Sequence, residues 1–401
     1  MKKFFLLLPL AALMFASCSS ENDDMTVVNY PEGAIWFSSG LDATRGLTTA
    51  SNFRAFNVTA LHSDVNYAFT DLAVTSTNGS TWTYGDPTDE TTIKYWPSDN
   101  TDISFYAYAP VALKSLVTIS EDRGKKITGF QQVQTLAEQT DVLTAIATGN
   151  KSSNAYTGVI LDFKHALSQI VIQAKNSDSE NYQIKVKGVK LCRVNDSGDL
   201  TYQTAVDGYP TWGNLSGSQS FMKKGETAVT LTSSVQNIMF GTDNFLMVPQ
   251  ALTAWTGSAS DTEGAYLSVL CQISRKDGEN WVQTYPTEAG KFAFSAVPIN
   301  TKWEPGHKYV YTLDFFGSGG GAGQIDPAPT SPNSNGIPLI DTTDPASEDI
   351  DTTPASSGGS GESNISEGGS SIIPEAKSPI KFTVTITDWI NEAADNSVID
   401  L

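Results

Sequence analysis

The chain has 401 residues, 39% of them apolar and 17% charged, with 25 Lys+Arg against 44 Asp+Glu and a net charge of −19. At roughly 100–200 residues per domain, that length suggests two domains. So acidic a chain makes a poor nucleic-acid binder, because phosphates need Lys and Arg to displace their counterions. Three His and three Cys are too few for a zinc site built from several of each, and only three imidazoles could serve a Ser-His-Asp centre.

Lys2 and Lys3 precede an apolar run from Phe4 to Phe15, and small residues Ala16 and Ser17 lead to Cys18. The run is too short to be a comfortable permanent span. The pattern resembles a bacterial lipoprotein signal, with residues 1–17 removed and Cys18 acylated; the other reading is a secretory signal with an incidental Cys. Ser-Ser-Glu-Asn-Asp-Asp at 19–24 resembles the surface-export signal of Bacteroidetes lipoproteins, or is a solvated tether. Ala34, Ile35, Trp36 and Phe37 then read as a short apolar strand. Arg45 follows among small and polar residues, with Gly46 after it. Such a spot suits a trypsin-like protease, although an ordinary surface Arg would look the same.

Strand patterns dominate the remainder. Ile103, Phe105, Ala107 and Ala109 recur at every second position, as do Tyr182, Ile184 and Val186, and Tyr309, Tyr311, Leu313 and Phe315. Period two predicts strands with one buried face. Thr-Asn-Gly at 77–79 and Asn-Asp-Ser-Gly at 195–198 read as turns. Residues 131–147 read as loop plus one helical turn. Many short strands with few helices predict an all-β protein of sandwiches. His165, beside Phe163 and Leu167, reads as a structural imidazole, and His307, in a Pro-Gly-His-Lys turn, as solvated. Cys271 lies on an apolar face with Leu267, Val269 and Ile273, which favours a buried thiol; a disulfide to Cys192 stays open. Trp212, Trp255 and Trp281 fall in loop-like contexts, where exposed aromatics could bind sugar. No metal or cofactor site emerges, and no enzyme activity is expected.

Residues 317–379 hold 11 Gly, 8 Pro, nine acidic residues, one Lys (Lys377) and no Phe, Tyr or Trp. That composition predicts a flexible, self-repelling linker or long surface loop. Beyond it Phe382, Val384 and Ile386 alternate with Lys381, Thr383, Thr385 and Thr387, and Trp389 follows. An amphipathic strand on a tether needs a sheet edge, its own or a neighbour's.

Seven runs occur in order along the chain: Ile-Trp-Phe with Thr-Arg (35–37, 44–45), Tyr-Trp-Pro-Ser-Asp and Ile-Ser-Phe-Tyr-Ala-Tyr-Ala-Pro (95–110), Asp141-Val-Leu, Phe-Lys-His-Ala-Leu-Ser-Gln-Ile (163–170), Phe-Leu-Met-Val-Pro-Gln (245–250), Trp-Glu-Pro-Gly-His-Lys-Tyr-Val-Tyr (303–311) and Phe-Thr-Val-Thr-Ile-Thr-Asp-Trp (382–389). Together they resemble the fimbrillin family of Bacteroidetes type V pili. The resemblance implies two tandem transthyretin-like Greek-key β-sandwich domains, an outer-membrane lipid anchor on Cys18, and a surface-exposed subunit of a fimbrium that joins other pilin subunits by strand exchange and serves adhesion. It also implies a protease that cuts after an Arg near the N-terminus. On this chain the Arg45–Gly46 bond is the candidate cut, although the family's better-known cuts have Ala after Arg. Residues 34–40, with Ile35, Trp36 and Phe37, would be the removable first strand within 18–45. Residues 380–390, with Phe382, Val384, Ile386 and Trp389, would be the donor. The N-terminal sandwich would span 46–162. The C-terminal region would be 163–401: a sandwich over 163–316, the linker at 317–379 and the terminal strand. A host or glycan receptor is an open partner. The alternative reading is a surface glycan-binding lipoprotein of a nutrient-import system, which would need an uncut N-terminus and clustered exposed Trp.

Overall fold

The computed structural model describes residues 30–40, 53–62, 66–258, 260–327, 371–372 and 380–389. Cys18, Arg45, Gly46 and residues 328–370 and 373–379 of the expected linker lie outside the described residues.

The fold is all-β, with sheets facing one another across apolar cores. The first sheet is antiparallel in the order β3 (Asn66–Thr75), β2 (Ala55–His62), β4 (Ile103–Ala109), β7 (Leu143–Gly149), β9 (Lys164–His165). Facing it are β1 (Phe37–Gly40) and β8 (Val159–Asp162), paired in parallel. Between them lies a core that includes Ile35, Phe37, Phe56, Val58, Phe105, Leu143, Val159, Leu161 and Phe163.

Two further sheets, of six and five strands, form the second core. One runs β14 (Gln219–Thr230), β11 (Tyr182–Val194), β17 (Tyr266–Asp277), β19 (Ala293–Pro298), β21 (Gln324–Ile325), with β18 (Asn280–Tyr285) also on β17. The other runs β15 (Gln236–Asn237), β10 (Ser168–Asn176), β20 (His307–Phe315), β22 (Lys381–Asp388), with β16 (Phe245–Met247) also on β10. Tyr309, Tyr311, Leu313 and Phe315 point into this core from β20, as their alternation requires.

A fifth sheet, β13 (Thr211–Ser216), β12 (Ser197–Thr201), β6 (Gly124–Gln131), β5 (Val117–Ser120), joins strands from both sides of residue 163. A third core lies between it and its neighbours, with Tyr108, Phe130, Val142, Leu200, Leu246, Val248 and Trp389. The two halves of the sequence therefore share a sheet and an apolar layer.

Three expectations are corrected. Residues 131–147 hold one 3-10 turn at Leu136–Glu138, but Leu143–Gly149 is an inner strand between β4 and β9. Leu143 and Ala145 face one core while Ile146 packs against another. A strand covered on both faces loses the period-two pattern. Asn195–Gly198 is not a hairpin turn: Ser197 and Gly198 already lie in β12, and Gly198 stands at a register shift. Residues 317–327 are not a free linker. Ala322 and Ile325 are buried, and β21 pairs with β19. Gly323 (φ +91°) permits this, since a Cβ there would come within 2.1 Å of Ser295 Oγ.

Cys192 and Cys271 are both buried and free. Cys192 is paired with Tyr266 and Cys271 with Val186, which separates the thiols by roughly 20 Å at ~3.3 Å per residue, far beyond disulfide reach. Burial pushes the Cys192 thiol up to about 12 and the Cys271 thiol higher. In a Cys18→Ser chain, neither thiol should react with a disulfide-exchange reagent at pH 8 until denaturant is added. Rapid labelling of the folded chain would contradict this placement.

Candidate functional site

The leading and trailing strands are held in opposite ways. The leading segment is built into the first core. Ile35 has no exposed surface and Phe37 only 3%. The Ile35 N–H donates to Lys94 O at 2.7 Å, Trp96 N–H to Gly33 O at 3.1 Å, and Val159 N–H to Trp36 O at 2.9 Å. β1 then continues in parallel along β8, from Phe37↔Val159 to Gly40↔Asp162. The Phe37 ring meets Phe56, Phe69 and Phe105 edge-on, with centroids 5.8–6.5 Å apart, a favoured aromatic geometry. Trp36 is half-buried, and its indole N–H donates to Ala155 O at 3.3 Å. Gly158 (φ +71°) lies beneath that ring, and a Cβ there would come within 2.6 Å of it. The Tyr84 hydroxyl donates to Ile35 O, and burial pushes this phenol above its ordinary range, so it stays a donor.

The trailing strand, β22, lies last in its sheet. It pairs antiparallel with β20 through eight positions, from His307↔Asp388 to Asp314↔Lys381. Ile380, just before it, is buried, whereas Phe382 and Val384 are only half-buried against the second core. Ile386 is 39% exposed, a departure from the fully buried face that alternation predicts. A terminal strand in a sheet has one flank without a neighbour, and its side chains rest on the rim of the core. Past the strand, Trp389 is buried and stacks on His165 with centroids 4.0 Å apart. His165 Nδ1 pairs with Asp141 Oδ2 at 2.8 Å, and the backbone N–H of Trp389 donates to Gly306 O at 2.6 Å. His165 is thus the structural imidazole expected, and its role is to receive Trp389.

His307 is half-buried rather than solvated. Its Nδ1 lies 2.8 Å from Pro305 O and its Nε2 3.4 Å from Asp388 Oδ1, because the turn is the entry to β20 and faces the end of β22. The three tryptophans offered for sugar binding do not meet. Trp255 is buried with Tyr266, Trp212 on β13 donates to Ala166 O at 2.6 Å, and Trp281 on β18 is 39% exposed. Trp212 does line an open cleft of about 580 Å³ with Tyr209, Pro249, Trp303, Pro305 and His307. Among the described residues no three His, Cys, Asp or Glu gather as a metal site.

Sequence reasoning missed one site entirely. Lys190 on β11 and Asp326 just after β21 form an ion pair at 2.9 Å, each side chain 1% exposed. The Tyr266 hydroxyl donates to Asp326 Oδ1 at 2.9 Å and the Ser268 hydroxyl to Oδ2 at 2.7 Å. The Lys190 ammonium also sits 4.4 Å from the Phe294 ring centre. Burial alone would pull the Lys190 pKa down; the Asp326 charge outweighs it and holds the group above its ordinary range. The signal available was Val189-Lys190-Leu191, a lysine inside an apolar strand.

The fimbrillin-like family matches residues 44–325. The chain belongs to the fimbrillin-like family. A fimbrial protein from Bacteroides vulgatus is 16% identical, covering 70% of this chain and 94% of its own, with a TM-score of 0.48. A candidate cell adhesion protein from Bacteroides uniformis is 18% identical, covering 70% and 93%, with a TM-score of 0.39. Another from Parabacteroides distasonis is 9% identical, covering 91% and 99%, with a TM-score of 0.38. No curated protein matches the chain. The fimbrillin-like match stops at Ile325, one residue before the buried Asp326.

The two strands should respond differently to truncation. Phe37→Ala should cost about 3–5 kcal/mol of global stability in urea melts, as emptied aromatic core sites do. Trp389→Ala should speed amide exchange along β22 while moving the global melt much less. Equal global losses from both would contradict the contrast.

Proposed function

We propose that this fimbrillin-like chain is a structural or tip subunit of a cell-surface fimbrium, exported as a lipoprotein on Cys18 and assembled by protease-triggered strand exchange. Cleavage at Arg45–Gly46 releases the segment holding Ile35, Trp36 and Phe37. The groove between β8 and the first sheet then takes residues 380–390 of a neighbouring subunit. The two parts of the chain act as an acceptor, 46–162, and a donor-bearing unit, 163–316 with the terminal strand.

The observation that carries this reading is the contrast in burial between the two strands. Ile35 and Phe37 are spaced two apart and fully enclosed. They cannot leave unaided, so a cut is the natural trigger. Phe382, Val384 and Ile386 have the same spacing but sit half-buried or exposed at home. Transfer gives up the eight-position ladder on β20 and gains the ladder along β8, of which the leading strand uses four positions, so backbone hydrogen bonds do not drive the exchange. The gain is the fuller burial of three large side chains, each worth up to roughly 1.5–3 kcal/mol. The β22 edge is also one that can open without disturbing an inner strand.

The glycan-binding alternative needed exposed, clustered tryptophans, and Trp255 is buried while Trp212 and Trp281 stand on different sheets. No catalytic role is proposed.

N-terminal sequencing of the subunit in purified surface fibres should give Gly46 as the first residue. Arg45→Ala should leave the chain folded, lipidated and monomeric. Fibres whose subunits begin at an acylated Cys18 would overturn the assembly reading.

A further inference from the structure

We propose that Lys190 and Asp326 condense to an intramolecular amide, a covalent cross-link between β11 and the segment that follows β21. The geometry is that of a reactant pair. Lys190 Nζ lies 2.9 Å from Asp326 Oδ2, and both side chains are 1% exposed. The ion pair holds Nζ at Oδ2, one bond from the carboxyl carbon, so the step is unimolecular and needs no encounter. Two hydroxyls address the two carboxyl oxygens separately, Tyr266 to Oδ1 and Ser268 to Oδ2. The Tyr266 phenol is pushed far above its ordinary range by burial and remains a donor.

The reaction balances within the pair. A proton passes from the Lys190 ammonium to Asp326 Oδ2, leaving an amine and an acid. The ionic pair is the resting form, because the Asp326 charge holds the Lys190 proton against the pull of burial; the transfer across the 2.9 Å contact is the uphill first step. The Nζ lone pair attacks Cγ and forms the C–N bond. Tyr266 stabilises the negative oxygen at Oδ1, as an oxyanion donor does. Ser268 relays a second nitrogen proton to Oδ2, the Cγ–Oδ2 bond breaks, and one water leaves. Nothing is oxidised or reduced. The product is a neutral amide where two buried charges stood, and the expelled water does not readily return to an apolar site.

The position gives the bond a use. Asp326 is the last buried residue described before the Gly- and Pro-rich stretch, and beyond it Ile372 rejoins the same core, its N–H donating to Gly323 O at 3.2 Å. If residues 380–390 are held by a neighbour and the Ile372 contact gives way, tension along the chain arrives at Asp326, and the amide passes it to β11 inside a sheet. That use rests on the assembly reading; the chemistry does not, and it can be tested on monomer.

The folded, mature chain should be lighter than its sequence by one water. Its tryptic digest should contain a branched peptide joining the segments around Lys190 and Asp326. Asp326→Asn should give the identical branched peptide by loss of ammonia, and Ser268→Ala should form it more slowly. Lys190→Met should give no branch. Recovery of the two segments as separate linear peptides, from folded chain of full sequence mass incubated for days, would overturn the proposal. An unchanged rate in Ser268→Ala would overturn the relay assigned to that hydroxyl.

Discussion

The structure turns on the enclosure of one short segment. Ile35 and Phe37 fill the space between β8 and the first sheet, where Phe56, Phe69 and Phe105 close around the Phe37 ring. A segment so buried is as much core as any inner strand, yet its backbone is held only by four ladder positions on β8 and a single bridge, Ala34↔Tyr95, among the described residues. Its attachment is by side chains more than by hydrogen bonds. That makes it an element the rest of the sandwich needs filled, which is why the proposed exchange pairs its loss with the entry of another strand.

The trailing strand is the complement. Its eight-position ladder on β20 is regular, but its side chains bury incompletely, and the firm contact is the Trp389–His165 stack beyond its end. That stack lies in the apolar layer shared by the two halves of the chain. Releasing β22 would therefore loosen the join between the halves as well as free an edge. The buried Lys190–Asp326 pair limits how far such loosening can run back along the chain, since Asp326 ties the preceding residues into the β19 and β17 region.

Much of this was legible in the sequence. β20 and β22 announce themselves by alternation, β4 keeps its period because its second face is covered through two tyrosines, Tyr106 and Tyr108, and the Ala34–Phe37 run marks the leading segment. What was hidden has physical reasons. β7 is covered on both faces, so Leu143, Ala145 and Ile146 show no period. β21 is two residues long within a glycine-rich stretch, and its order comes from Ala322, Ile325 and a distant lysine rather than from local pattern. His307 read as a free turn because its neighbour, Asp388, is 81 residues away. The tryptophans misled for a related reason: Trp255 sits in polar sequence but is covered by Tyr266 from another element.

The central claim is that β22 must leave β20 for subunits to join. Val310 and Thr385 are Cα partners across that ladder, so a Val310→Cys, Thr385→Cys chain can be locked by oxidation. After protease treatment, the oxidised chain should remain monomeric and form multimer ladders only once reductant is added. Equal ladders from the locked and the reduced chain would contradict the account.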